Sequence, residues 1–188
     1  NFRPDFTWTK MLGSNNHQLF DSVRGVTKEL ESNTTAEEVT NSNSLTVFNS
    51  NGFTVGSSNN ENQSGIEYIS WNWRSGGAPT ASNTNSSGAM TSNSVSLNGT
   101  LQSSYTPSGS PSIYPTKMSI NTTSGFSIVS YTGNGSAGAT IPHGLSSAPN
   151  LIITKGTSGS AGVTNWNVYS SVTGATKKLV LNSTNGQS

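Results

Sequence analysis

Two histidines and eight acidic side chains are all the imidazole and carboxylate chemistry this 188-residue chain carries. His17 and His143 stand in unlike loops, and a general base needs a partner within hydrogen-bond reach. His143 lies between Pro142 and Gly144, which is turn chemistry. Glu29 and Glu31 are two residues apart and share a face if the segment is a strand; a retaining glycosidase needs two carboxylates about 5 Å apart. Glu61 and Glu67 flank a polar loop and read as its solvated rim ahead of a cation site. No calcium loop of alternating Asp and Asn closed by Gly is present, and no His/Glu zinc spacing. The Gly133 to Gly138 run lacks the following helix that a phosphate cradle requires and reads as a hairpin loop. The sequence therefore predicts no enzyme, metal or cofactor.

The remaining candidates are aromatic and ionic. Trp8, Trp71 and Trp73 could stack on sugar rings if exposed, although their alternation with polar residues predicts inward, core-facing positions. Asp21 and Arg24, beside Gly25, are placed to form an ion pair at a corner of the chain. A structural role for that pair is expected ahead of ligand binding.

The elements that must position these residues are strands. Phe6 and Trp8 share one face of Phe6–Lys10, and Ile69, Trp71 and Trp73 share one face of Tyr68–Arg74, the period of two that marks β structure. Phe53 and Val55 repeat the pattern after the Asn51-Gly52 turn, while Leu151-Ile152-Ile153 reads as buried on both faces. The one helical candidate, 33–39, has the spacing of a capping box from Thr34 to Glu37 and is long enough for about one turn.

The chain also repeats itself. Pro4-Asp5-Phe6-Thr7-Trp8-Thr9-Lys10 returns as Pro149-Asn150-Leu151-Ile152-Ile153-Thr154-Lys155. Phe20 to Leu30 then returns as Tyr169 to Leu179, and Asn33 and Thr35 fall on Asn182 and Thr184. Two ordered blocks in one register indicate duplication. The expected organisation is the C-terminal part of one β unit over 1–74, a Ser/Gly/Asn/Pro-rich linker over 75–124, and the N-terminal part of a second unit over 125–188. Within it, 149–184 repeats 1–35. Val95-Ser96-Leu97, Ile113-Tyr114 and Met118-Ser119-Ile120 alternate as added edge strands would. The expected class is all-β, with tandem β-sandwich units of jelly-roll or lectin-like type.

Composition excludes other classes. The chain has no cysteine, a net charge of +1 and 9% charged residues. That removes disulfide scaffolds and offers nucleic acid no basic surface. No apolar run approaches the roughly 20 residues that cross a bilayer, so membrane insertion is not expected. The aromatic residues, 4 Trp, 5 Tyr and 6 Phe, argue against disorder.

In wording, these segments resemble a repeat domain of uncharacterised marine bacteriophage proteins. The resemblance rests on the lead-in Tyr131 to Leu145, the Pro4 to Lys10 strand and Leu19 to Gly25. It extends to the Ser32 to Glu37 turn, Ser50 to Gly56 and the closing Tyr68 to Arg74 strand. It implies a non-enzymatic virion structural protein, a tail fibre or another appendage touching the host surface, in the company of lectin-like sandwich domains. Implied partners are other copies of the chain in a homo-oligomer such as a trimer, other virion proteins and a host surface glycan. The resemblance brings no catalytic residue. The second copy departs from the pattern, with Ser170 for Asp21 and Thr173 for Arg24. Two further functions remain open on the residues: a glycan-binding or depolymerase module, and a capsid decoration or filament subunit.

Overall fold

The structure, a computed structural model, describes residues 1–159 and 164–188. It is built almost wholly of strands. β1 (Phe6–Met11), β2 (Gln18–Asp21), β3 (Gly25–Glu31), β4 (Val39–Thr40), β5 (Leu45–Asn49) and β6 (Gly52–Val55) come first. A single helical turn α1 (Asn59–Asn62) then leads to β7 (Tyr68–Trp73). The first sheet has the order β4-β3-β2-β1-β7, with β7 returning antiparallel along β1 so that Trp8 faces Trp71 and Phe6 faces Trp73.

The two faces of this sheet differ in kind. Alternation sends Thr7, Thr9 and Met11 to one face, where all three are buried. There Phe20 meets the β5–β6 hairpin in a core of Phe20, Leu45 and Phe48, with Phe53 packed on it. Phe6 and Trp8 leave from the opposite face and pack with Leu19, Leu30 and Trp166. The predicted helical turn over 33–39 does not form. The Thr34 hydroxyl accepts from Ala36 N at 3.2 Å, two residues on, and the chain runs into β4. Such short side-chain-to-backbone bonds compete with a helix start. The helical turn forms instead at α1, where the Ser58 hydroxyl caps Asn60 N at 3.2 Å.

The segment 75–124 is not a flexible linker. It contains β8 (Val95–Leu97), β9 (Thr100–Leu101) and β10 (Lys117–Asn121), which join β11 (Phe126–Ser130) in a second sheet of order β11-β10-β8-β9. β8 and β10 run parallel, Val95 beside Met118 and Leu97 beside Ile120; Ile113-Tyr114 is not a strand. The few apolar residues converge: Met90, Val95, Met118 and Ile120 form a buried cluster, and Tyr105, Tyr114 and Leu145 pack against it. Side-chain amides satisfy the irregular backbone that remains. Asn83 accepts from Thr91 N at 2.9 Å and donates to the Pro115 carbonyl at 2.9 Å.

Ser75-Gly76-Gly77 ties the two sheets together. The buried Asp5 carboxylate accepts from Ser75 N at 2.9 Å and Gly77 N at 3.2 Å. Gly76 threads so closely that a Cβ there would meet the Ser96 carbonyl oxygen at 2.2 Å and that of Ile120 at 2.3 Å.

A third sheet, β12 (Leu151–Thr154), β13 (Asn167–Ser170) and β14 (Leu179–Val180), repeats β1-β2-β3 in order and register. Ile153 faces Val168 where Trp8 faces Leu19. Individual bonds repeat as well. Asn33 Oδ1 accepts from His17 N at 2.9 Å, and Asn182 Oδ1 accepts from Trp166 N at 2.9 Å. Ser22 N donates to the Asp5 carbonyl at 2.8 Å, and Ser171 N to that of Asn150 at 2.9 Å. Contrary to expectation, Leu151, Ile152 and Ile153 are 59%, 43% and 42% exposed. Their strand has β13 on one side and, among the described residues, no neighbour taking the place that β7 has beside β1.

Candidate functional site

The sequence-predicted tryptophans come together, but facing outward. Trp71 and Trp73 are 42% and 38% exposed, with Ile69 at 42%. The alternation holds; what fails is the inference that the shared face is core, because β7 is an edge strand and the covering Trp166 packs with Leu19 and Leu30, beside Trp8 and Phe6. Trp8 and Trp71 meet edge to face at 6.2 Å between ring centroids, and Phe6 and Trp73 at 5.3 Å. Phe126 of β11 stacks on Trp73 at 6.5 Å, an interplanar angle of 24°. The result is an aromatic ridge along β1 and β7, while Asn72 leaves the opposite face and accepts from the Thr7 hydroxyl at 2.9 Å.

The ridge is fixed from behind. The Trp8 indole N–H donates to His17 Nδ1 at 2.9 Å. Burial, with the Lys10 ammonium nearby, holds the His17 imidazole below its ordinary range. A neutral ring whose Nδ1 accepts is the tautomer that bond requires. His143 Nδ1 accepts from Leu145 N at 3.0 Å within its own turn. Among the described residues, neither imidazole is hydrogen-bonded to a carboxylate.

Asp21 and Arg24 form a closed corner. Asp21 Oδ1 accepts from Val23 N at 3.0 Å and Arg24 N at 2.8 Å, while Oδ2 takes the Arg24 Nε–H. The guanidinium donates further to the carbonyls of Lys28 at 2.9 Å and Leu19 at 3.0 Å, and to Glu38 at 3.2 Å. This geometry closes the β2–β3 turn and leaves the Arg24 side chain only 12% exposed. In the second unit the Ser170 hydroxyl accepts from Val172 N at 3.3 Å. Val172 is there 93% exposed, whereas its counterpart Val23 is buried.

Glu29 and Glu31 are both engaged by neighbouring side chains. Glu29 is 3% exposed, its two oxygens taken by the side-chain amides of Asn41 and Asn60 at 3.1 Å each, and Glu31 accepts from the Thr34 hydroxyl. Glu61 is no solvated rim. It is 7% exposed, and its carboxyl is pushed up to about 7 by burial, with the Glu29 charge adding to the effect. No three His, Cys, Asp or Glu side chains gather as metal ligands among the described residues. Sequence reasoning put Glu61 on the wrong side of the surface and passed over Trp166. Trp166 was discoverable, since it falls in the register of His17 and replaces a polar ring with the largest apolar one.

No curated protein and no solved structure matches the chain. A family model described as "Domain of unknown function (DUF7483)" matches twice, over residues 1–111 and 108–188. The first match runs through β9, the second begins ahead of β10, and the parallel β8–β10 pair therefore joins two copies. This chain belongs to the DUF7483 family and carries that domain in tandem.

Proposed function

We propose that this chain is a non-enzymatic structural module of a bacteriophage virion, part of a tail fibre or similar appendage, and that the aromatic ridge is its contact with the host surface. The observation that carries the reading is the exposure of Trp71 and Trp73 on a sheet edge held rigid by Trp8, Phe6 and Phe126. Rigid aromatic side chains that remain exposed are recurrent anchors of binding surfaces. The phage setting rests on the resemblance in wording. The interlocked repeats suit an extended, self-associating appendage, with other copies and other virion proteins as its neighbours.

A second reading, a glycan-binding module, is favoured by one specific feature. Trp71 and Trp73 hold two exposed rings on one face of β7, flat apolar surfaces that suit sugar rings, while Ser70 and Asn72 bond to each other on the opposite face. A depolymerase is less well supported, because Glu29 is enclosed and already bonded. Binding of the purified protein to host cells and to their isolated surface polysaccharide tests these readings. The Trp71→Ala/Trp73→Ala variant should lose binding, and the parent should release no reducing sugar. Equal binding by parent and variant would remove the ridge from the function, and turnover abolished by Glu29→Gln would make the protein an enzyme. Gold-labelled antibody on intact particles, seen by electron microscopy, locates it on the virion or excludes it.

A further inference from the structure

Beneath α1, on the sheet face opposite the ridge, five buried polar atoms lack a partner at full hydrogen-bond geometry: Thr9 Oγ1, both amide atoms of Gln18 and both carboxylate oxygens of Glu61, which has the Ser58 hydroxyl near enough to ease its charge. Their residues are 4%, 1% and 7% exposed. Thr9 and Gln18 sit directly opposite one another on β1 and β2, so both side chains leave the sheet on one face. Gln18 faces Glu31 on β3, which puts Glu29, two residues away, on that face on the diagonal. α1 closes the site from above. The Tyr68 hydroxyl accepts from Gln63 N at 3.0 Å and donates to the Asn59 carbonyl at 2.8 Å, and Asn60 donates to Glu29 at 3.1 Å. Glu61 follows Asn60 directly.

Two carboxylates are thus buried together, and no Lys or Arg is within ion-pair distance of either among the described residues. Buried charge needs an opposite charge or a proton. Buried polar atoms need partners, and orphans on one sheet face beneath α1 call for an occupant. We propose that Thr9, Gln18, Glu29 and Glu61 enclose a binding site for one Ca2+ ion. Every metal-facing donor is oxygen: two carboxylates, an amide carbonyl and a hydroxyl. That set suits a hard cation, and its irregular geometry suits Ca2+ better than Mg2+, which demands a near-ideal octahedron and keeps its waters. The two negative charges match the ion's charge. Gln18 Nε2 is then left to donate to a carboxylate oxygen or to a metal-bound water.

The test uses the full chain, stripped with EDTA and then titrated with Ca2+ at pH 8. The unfolding midpoint should rise by about 5–10 °C once free Ca2+ exceeds its Kd a hundredfold. Glu61→Gln, an isostere of the protonated acid, should fold and lose this rise. Glu67→Gln, at an exposed position on the same loop, should keep it. Calorimetry of the parent supplies a readout that needs no variant: one saturable binding heat per chain with Ca2+ at pH 8. No midpoint shift and no binding heat with millimolar Ca2+ would overturn the site and leave water or a proton as its occupant. A shift as large in Glu61→Gln as in the parent would place the ion elsewhere and also overturn it.

Discussion

At the residue scale, Arg24 closes the corner at the β2–β3 turn. Its guanidinium makes bonds to Asp21, Glu38 and two backbone carbonyls, and the side chain is only 12% exposed. Lysine has the charge but not the planar fork. Arg24→Lys should therefore destabilise the protein by about 2–4 kcal/mol in denaturant unfolding, because Asp21 stays buried with its partner weakened. Glu61 yields a pH prediction for the metal-free protein. Its carboxyl rises from the ordinary 4.5 to about 7 in the fold, so between those values the folded state holds a proton that the unfolded state has lost. Stability from this group is complete below pH 4.5 and falls as pH rises toward 7, by about 2–3 kcal/mol in total. The Glu61→Gln variant should show a flatter unfolding profile across that range, and equal slopes in both proteins would reject the assignment.

At the element scale, one inserted ring packs the third sheet against the first. Trp166, just ahead of β13, is 6% exposed against Leu19 and Leu30, and its indole N–H donates to the Glu31 carbonyl at 2.8 Å. Lys155 reinforces the contact by donating to the Thr35 carbonyl at 3.0 Å. Trp166→Ala should cost about 3–5 kcal/mol, as expected for emptying a large buried site. Faster amide exchange in β12, β13 and β14 than in β1, β2 and β3 would be its signature. Trp71→Ala and Trp73→Ala remove rings that are only partly buried, at about 1–2 kcal/mol each. Measured side by side, costs equal to that of Trp166→Ala would contradict this account of the ridge.

At the scale of the whole molecule, the repeats are interlocked. The second sheet takes β8 and β9 from the first family match and β10 and β11 from the second. Its core pairs Met90 and Val95 with Met118 and Ile120 across that boundary. A fragment of residues 1–111 should therefore leave Met90 and Val95 uncovered, bind hydrophobic dye and give a broad thermal transition. Residues 1–130, which restore β10 and β11, should give a sharp one. A cooperative, dye-silent 1–111 fragment would show that the family boundary is a folding boundary after all.

Much of the local architecture was legible because its causes are local. Period-two alternation marks β1 and β7, and the Asn33/Asn182 match marks a side-chain bond that recurs at 2.9 Å in both copies. The Asp21–Arg24 corner could be read from its spacing beside Gly25. Burial could not be read in this way, because it depends on what arrives from elsewhere in the chain. Whether Trp71 is core or surface depends on β7 lying at a sheet edge. Leu151 to Ile153 carry the composition of a buried strand but have a neighbour on one side only. Residues 75–124 have the composition of a linker. They fold because a few apolar side chains, distant in sequence, converge while Asn and Ser side chains satisfy the loops. Glu61 belongs to a polar loop by sequence, and only the closure of α1 over β1 and β2 removes it from water. The sequence by itself determined the strands, their faces and the duplication; the tertiary structure alone decided which faces are covered, since desolvation is a property of the assembled sheets and not of any one segment.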